Sequence, residues 1–216
     1  MSPFEQMPGY LVFIIQYAAL LLCISVHESA HALSAHLLGD ETANLQGRIS
    51  LNPLAHIDMF GTVIFPIMAF LFRIPVIGWA KPVSIDPRNL RDFKRDDIII
   101  SASGPASNLL LAFLLFIISP LMVGLSESAP PIFAFYTYLI TINIILAFFN
   151  LIPVPPLDGS GVLRGFLPDD LAEKYDRLQG FGFILIYILL FSGVLDLILG
   201  VASQFYRAIG IAAGVG

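Results

Sequence analysis

Charged residues are scarce in this sequence: they make up 12% of its 216 residues, against 57% that are hydrophobic. Soluble domains carry about 25% charged residues, so a chain this poor in charge lacks the polar surface that keeps a globular protein dispersed in water. The composition excludes an ordinary soluble enzyme. It also excludes a nucleic-acid-binding protein, because no basic stripe is present. It is typical of an integral membrane protein in a lipid bilayer.

Cysteine is nearly absent as well, because Cys23 is the only one in the chain. A single cysteine excludes an intrachain disulfide and any Cys-rich zinc module. Cys23 precedes His27 by one helical turn, so it is either a zinc ligand or a small residue that packs at a helix interface. The chain also lacks internal repeats, low-complexity tracts and long linkers, which indicates one membrane domain over residues 1–216.

Long apolar runs are what the sequence has instead, and they place the membrane spans. The predicted core spans are residues 10–38, 98–119 and 132–152, and an additional C-terminal span covers residues 181–199. A shorter apolar stretch at residues 59–72 contains a proline. We predict an all-α polytopic membrane protein with about four to six transmembrane helices.

Residues 27–31 (His-Glu-Ser-Ala-His) place two imidazoles one helical turn apart near the end of the first apolar run. Side chains at i and i+4 project from one helix face, so His27 and His31 can hold a zinc ion while Glu28 handles a proton. Ionisable groups are costly within a membrane span, which favours a functional site over a chance match. The same residues are also compatible with a proton or cation path.

A catalytic zinc ion usually takes three protein ligands, so the motif needs a partner from elsewhere in the chain. Asp158 is the best candidate, because it follows an apolar span that prolines terminate and precedes Gly159. An Asp-Gly pair after prolines is also an ordinary turn. Two neutral imidazoles and one carboxylate would leave zinc a good Lewis acid. Glu28 would then remain free as a general base and as the proton donor to the leaving amine.

The distribution of Lys and Arg predicts the orientation. Basic residues concentrate in residues 73–97 and 158–180, and residues 120–131 contain none. The positive-inside rule therefore makes both basic segments cytoplasmic. If the histidine motif and Asp158 share a site, residues 38–97 must begin and end on that side. We predict that residues 59–83 form a re-entrant segment, which dips into the membrane and returns.

Three further polar residues have weaker assignments. His56 is predicted to support the metal site from outside the ligand set. Asn108, in the third span, either forms a hydrogen bond near the site or bridges two helices. His36 lies well off the ligand face of the first helix and is expected at the membrane interface.

Together these motifs resemble the site-2 protease family of intramembrane metalloproteases. The resemblance rests on residues 27–31, on residues 104–108 (Gly-Pro-Ala-Ser-Asn) and on residues 150–159, in that order along the chain. Residues 78–83 (Gly-Trp-Ala-Lys-Pro-Val) look like part of a short prokaryotic branch of the family. The family's PDZ and CBS regulatory domains do not fit in 216 residues, so we expect a short member without them.

The resemblance implies a zinc endopeptidase in which Zn²⁺ is bound by His27, His31 and Asp158 and water is activated by Glu28. It implies hydrolysis of peptide bonds in or beside transmembrane segments of membrane-protein substrates. The site would lie toward the cytoplasmic side of a prokaryotic cell membrane. By the same resemblance, Asn150 would help to hold the substrate backbone.

Two substrate contacts remain expectations of the same kind. Asn108 is a second candidate for contact with the substrate, and short β-like strands near the active site, including residues 78–83, would pair with unwound substrate. Two other functions stay open for this sequence. One is a membrane cation transporter or channel that uses the same polar residues, and the other is a non-proteolytic member that only binds membrane proteins.

Overall fold

The computed structural model describes residues 7–72 and 80–212, and these residues are largely helical and contain no β-strand. Its α-helices are α1 (Gly9–Leu37), α2 (Thr42–Leu45), α3 (Phe65–Phe72), α4 (Phe93–Ile117), α5 (Ser119–Met122), α6 (Leu125–Ser128), α7 (Pro130–Asn150), α8 (Asp158–Phe166), α9 (Asp169–Asp176), α10 (Gly182–Phe191) and α11 (Val194–Ala212). A π-helical segment, Met59–Ile64, runs directly into α3, and 3₁₀ turns occur at Pro53–Ala55, Pro87–Asn89 and Arg177–Phe181.

Helices α1, α4 and α7 are long and apolar enough to cross a membrane. Their ends follow from local chemistry. Helix α1 ends before Gly39, whose φ of +108° favours glycine. The side chain of Asp92 caps α4, and Pro130 opens α7, where a missing N–H costs no hydrogen bond. These helices bear out the prediction of an all-α membrane protein, and they overlap the three predicted core spans.

Helix α4 is the centre of the bundle, because it packs against α1, α7 and α8. On one side, a core between α1 and α7 is built from small and branched residues, including Ala19, Cys23 and Ile142. A second core joins α4 to α7 and contains Ala112 and Ile140. Small side chains let the helices approach closely, which is how helices associate in a membrane.

The end of α1 and the beginning of α4 lie at the same end of the bundle, where Asp40 joins them. Its buried carboxylate accepts hydrogen bonds from the backbone N–H of Asp86 at 2.8 Å and from Nδ2 of Asn89 at 2.8 Å. It also accepts two hydrogen bonds from Thr42, at 3.1 Å from N and 2.6 Å from Oγ1. The chain between α1 and α4 therefore leaves and returns to one end of the bundle.

We expect the Asp40 cluster to make stability depend on pH. Burial raises the pKa of Asp40, but the hydrogen bonds from Thr42, Asn89 and the backbone outweigh it, so the net pKa is lowered. A folded pKa below the unfolded value means that this stabilisation is present at neutral pH and is lost as the pH falls below about 4. Asp40→Asn should lower the free energy of unfolding by about 1–3 kcal/mol at pH 7.

Thermal unfolding in detergent at several pH values tests this expectation. Asp40→Asn should also flatten the fall in Tm as the pH decreases below about 4, where the wild type loses this stabilisation. Asp170→Asn, the same substitution at an exposed site on α9, should follow the wild type. An unchanged Tm in Asp40→Asn would contradict the role given to the cluster.

The segment that precedes and forms α3 lies along the N-terminal half of α1. The hydroxyl of Tyr17 donates to the carbonyl of Thr62 at 2.5 Å, and the rings of Phe13 and Phe70 pack with centroids 4.5 Å apart. After the gap at residues 73–79, Ala80 packs in the core between α1 and α7.

Two expectations are not confirmed by the described residues. The predicted β-like strand at residues 78–83 is not found over residues 80–83, and residues 78 and 79 lie outside the described part of the chain. In the described part of this segment, Lys81 N donates a backbone hydrogen bond to His56 O at 3.0 Å. The predicted C-terminal span at residues 181–199 is not one continuous helix. It is divided into α10 and α11 at Gly193, whose φ of +81° ends the helical backbone.

Candidate metal centre

Two buried histidines on α1, His27 and His31, face helix α4 and form hydrogen bonds to it. Nδ1 of His31 lies 2.7 Å from the carbonyl oxygen of Ile100, and Nδ1 of His27 lies 2.5 Å from Oδ1 of Asn108. Both partners are acceptors, so both Nδ1 atoms carry the ring hydrogen and donate it. Each Nε2 atom is therefore left with a lone pair, and the two Nε2 atoms lie 3.1 Å apart.

Asp158 brings a third acceptor to the same point. It is the first residue of α8, and its Oδ2 lies 3.0 Å from Nε2 of His27 and 3.4 Å from Nε2 of His31. Three electron-pair donors that face one another repel unless a cation lies between them. Among the described residues, this is the single group of three or more histidine, cysteine or acidic side chains close enough to share a metal ion.

The spacing and the chemistry of these donors fit zinc. In a tetrahedral zinc site with bonds of about 2.0–2.1 Å, the ligand atoms lie about 3.3–3.4 Å apart. The three separations here, 3.0, 3.1 and 3.4 Å, are close to that spacing. Two imidazoles and one carboxylate also match the ligand types of catalytic zinc sites, which keep a fourth position open.

Glycines allow the helices to come close enough for this convergence. A Cβ atom at Gly104 of α4 would lie 2.7 Å from Nε2 of His27 and would also overlap the ring of His31. A Cβ atom at Gly159 would lie 2.6 Å from the carbonyl oxygen of Ile152. The first glycine therefore sets the distance between α4 and the histidines, and the second lets the turn after α7 fold tightly against the start of α8.

Helix α8 is also anchored at its far end by Arg164. Its Nε donates to the carboxylate of Asp176 at 2.8 and 2.9 Å, and its guanidinium lies 4.7 Å from the ring centre of Phe93 on α4. Asp97 of α4 is 3.8 Å away. This arginine therefore joins α8 to both α4 and α9. This role was not predictable from the sequence, where Arg164 is one of several basic residues in a segment predicted to be cytoplasmic.

Glu28 lies beside the three acceptors without joining them. Its half-buried side chain is close enough to His27, His31 and Asp158 for their charges to interact with its own. It is absent from the group whose ligand atoms converge. A carboxylate in this position is available to a water molecule or to a peptide nitrogen next to the metal position.

Asn108 lies behind His27, on the Nδ1 side of its ring. Asn108 is fully buried, its Oδ1 takes the ring hydrogen of His27, and its Nδ2 donates to the carbonyl of Cys23 at 3.2 Å and to Asn143 at 2.6 Å. Both ends of the amide are thus occupied within the protein, and Asn108 connects α4 to α1 and to α7. Asn143 was not found from the sequence, because one asparagine in an apolar span carries no spacing signal.

The remaining candidates lie apart from the converging ligands. Cys23 is fully buried and its Sγ accepts from Nδ2 of Asn143 at 3.0 Å, so it packs between α1 and α7. His56 is buried, and its Nε2 donates to the carbonyl of Ser50 at 2.7 Å. Asn150, at the end of α7, donates from Nδ2 to the carbonyl of Leu146 at 3.0 Å. His36, near the end of α1, pairs with Glu41, whose Oε1 lies 2.9 Å from its Nδ1.

Known proteins resemble this chain over most of its length. A family model described as peptidase family M50 matches residues 119–192. A Bacillus subtilis protein named "Putative zinc metalloprotease YwhC" is 34% identical over 192 residues, which cover 87% of this chain and 82% of that protein. The similarly named Rip2 of Mycolicibacterium smegmatis is 29% identical over 190 residues, which cover 86% of this chain and 70% of that protein. No solved structure matches the chain significantly.

Proposed function

This chain belongs to peptidase family M50 as a membrane zinc metalloprotease, and from that premise we propose that it hydrolyses peptide bonds within or beside the transmembrane segments of other membrane proteins. The observation that carries the proposal is the convergence of three acceptors, 3.0–3.4 Å apart, beside Glu28. Because α1 is one of the membrane-spanning helices, a peptide bond that reaches this point must come from a membrane segment or its edge.

In this proposal, each polar side chain has one role. His27, His31 and Asp158 hold the zinc ion. A zinc ion held by these residues would supply Lewis-acid polarisation of the scissile carbonyl and of the attacking water. Glu28 accepts a proton from the attacking water and then delivers it to the nitrogen of the leaving peptide. Asn108 and the carbonyl of Ile100 keep the two imidazoles in the tautomer that directs Nε2 at the metal.

The substrate has to unwind before it can be cleaved, because the carbonyl of a helical peptide bond is already hydrogen-bonded and shielded. An unwound backbone needs new partners in a place where water is scarce. We propose that Asn150 supplies one of them from the end of α7. The second proposed contact is residues 80–83, which are in neither a helix nor a strand and so could pair with an extended substrate.

The proposed site faces the cytoplasm. Lys94, at the start of α4, donates to the carbonyl of Leu167 at 3.0 Å and pairs with Asp169 at 2.7 Å. The two basic segments of the chain are therefore adjacent at one end of the bundle, the end at which Asp40 meets Asn89. The positive-inside rule assigns such an end to the cytoplasm. Residues 59–72 would then enter the membrane from that side as the predicted re-entrant segment.

Metal analysis combined with a cleavage assay tests the proposed function. The purified full chain in detergent should contain about one zinc ion per molecule and should cleave a peptide that spans the bilayer. His31→Ala should remove both properties. His36→Ala, which lies on the same helix but pairs with Glu41, should keep both.

Two results would contradict the proposal. The first is wild-type protein without bound zinc. The second is a cation flux through proteoliposomes that depends on His31 in protein that cleaves no membrane peptide, which would favour the transporter instead.

A further inference from the structure

Helix α7 carries none of the proposed metal ligands, yet its Asn143 belongs to a series of hydrogen bonds that starts at the proposed ligand His27. Asn143 of α7 is fully buried, and its Oδ1 accepts from Nδ2 of Asn108 at 2.6 Å. Its own Nδ2 donates to the carbonyl of Leu139 at 2.7 Å and to Sγ of Cys23 at 3.0 Å. The series of hydrogen bonds therefore runs from His27 through Asn108 and Asn143 to the backbone carbonyl of Leu139.

The carbonyl of Leu139 fixes the direction of every hydrogen bond in this series. The oxygen of Leu139 can only accept, so the amide of Asn143 must present its NH₂ group to Leu139 and its oxygen to Asn108. Asn108 must then present its NH₂ group to Asn143 and its oxygen to His27. With that oxygen in place, the ring hydrogen of His27 stays on Nδ1, and the lone pair of Nε2 stays directed at Asp158.

The surroundings make this ordering effective. Asn108 and Asn143 are both fully buried in helices that span the membrane, so water is not available to replace a lost partner. A reversed amide at Asn108 would place its oxygen against the carbonyl oxygen of Cys23 and against Oδ1 of Asn143. Two oxygens in contact with no hydrogen between them are unfavourable in a medium of low dielectric constant.

We propose that Asn143 is a positioning residue for the metal centre, which acts through Asn108 to hold His27 in its zinc-binding tautomer. The inference rests on the proposed zinc site. Partners outside the ligand set typically change metal affinity by about 10–100-fold, and Asn108 keeps its second bond to Cys23 when Asn143 is lost. We therefore expect the lower end of that range, a Kd for zinc raised by about 10-fold.

Asn143→Ser is the variant of choice. A serine hydroxyl can still donate to the carbonyl four residues earlier, so Leu139 keeps its partner, but the side chain is too short to reach Asn108. Zinc affinity is measured on the full chain in detergent, by competition with a chromogenic chelator. Cobalt is then loaded in place of zinc, and its visible spectrum reports the geometry of the ligands independently of cleavage.

The matched control is Thr137→Val on the same helix. Thr137 is buried, and its hydroxyl bonds only to the carbonyl of Ala134 in its own helix, at 3.0 Å. The inference expects a Kd raised by about 10-fold and an altered cobalt spectrum in Asn143→Ser, with neither change in Thr137→Val. Equal zinc affinity in the two variants, with the wild type binding zinc, overturns the inference and leaves the proposed function standing.

A double-mutant comparison separates action through Asn108 from general loosening of the bundle. In an Asn108→Ala background the hydrogen-bonded connection between Asn143 and His27 is already lost, so Asn143→Ser should produce no further loss of zinc affinity. An additional 10-fold loss in that background would show that Asn143 acts by another route and would overturn the inference. If Asn143→Ser does not fold, Asn143→Leu, which keeps the side-chain volume, replaces it in the same comparison, with the same expected loss.

Discussion

Glu28→Gln should bind zinc as the wild type does and cleave about 10²–10⁴-fold more slowly. Glutamine has nearly the shape of glutamate but cannot accept a proton from water at neutral pH. Glu28 is not among the three side chains whose ligand atoms converge, so its replacement leaves the proposed ligand set complete. The expected loss is therefore in kcat, with metal content unchanged.

Single-turnover cleavage of a transmembrane peptide and zinc analysis on the same preparation measure the two quantities. Glu127→Gln makes the same substitution at an exposed site in α6 and should match the wild type in both. A Glu28→Gln protein with low zinc content would mean that Glu28 is a ligand. One with normal cleavage would mean that another group takes the proton.

Gly104→Ala should reduce cleavage by about 100-fold or more and should lower zinc content as well. The added methyl group would lie 2.7 Å from Nε2 of His27 and would overlap the ring of His31, both of which face the metal position. The rings cannot simply move aside, because their Nδ1 atoms are bonded to Asn108 and Ile100 of the same helix. If α4 shifts away to make room, it takes these two acceptors with it.

A second glycine in a helix provides the control for this prediction. Gly200 of α11 has no atom within 4 Å of the position that a Cβ would occupy, so Gly200→Ala should leave zinc content and cleavage unchanged. Zinc analysis of membranes and purified protein distinguishes a damaged site from poor expression. Normal zinc binding in Gly104→Ala would contradict the close packing of α4 against the histidines.

The sequence was informative wherever the membrane imposes a rule on single residues. Long apolar runs predicted α1, α4 and α7, because a span needs about 20 apolar residues. The i, i+4 spacing predicted that His27 and His31 share a helix face, and their cost in hydrocarbon marked them as functional. Asp158 was then found by asking for a third ligand near the end of another span, and the structure brings it to both histidines.

Other features depend on which helices touch, which the sequence does not encode locally. Asn143 becomes significant only because α7 packs beside α1 and α4. Gly104 belongs to a motif that carries the family resemblance, but that it faces both imidazoles depends on the rotation of α4 about its axis. The β-like strand expected over residues 78–83 came from the family resemblance and concerned pairing with a substrate, and the described residues 80–83 are not in a strand within this chain.

The proposed metal centre needs both His27 and Asp158, which are 131 positions apart in the chain. This separation affects when the site can form during synthesis. At a synthesis rate of about 5–20 residues per second, the aspartate is made about 7–26 s after the histidine. During that interval the nascent chain holds the two imidazoles but lacks Asp158, and for most of it α7 is not yet complete. With the proposed ligand set, zinc would therefore be acquired late, after the helices have assembled, from the metal pool available to a protein already in its membrane.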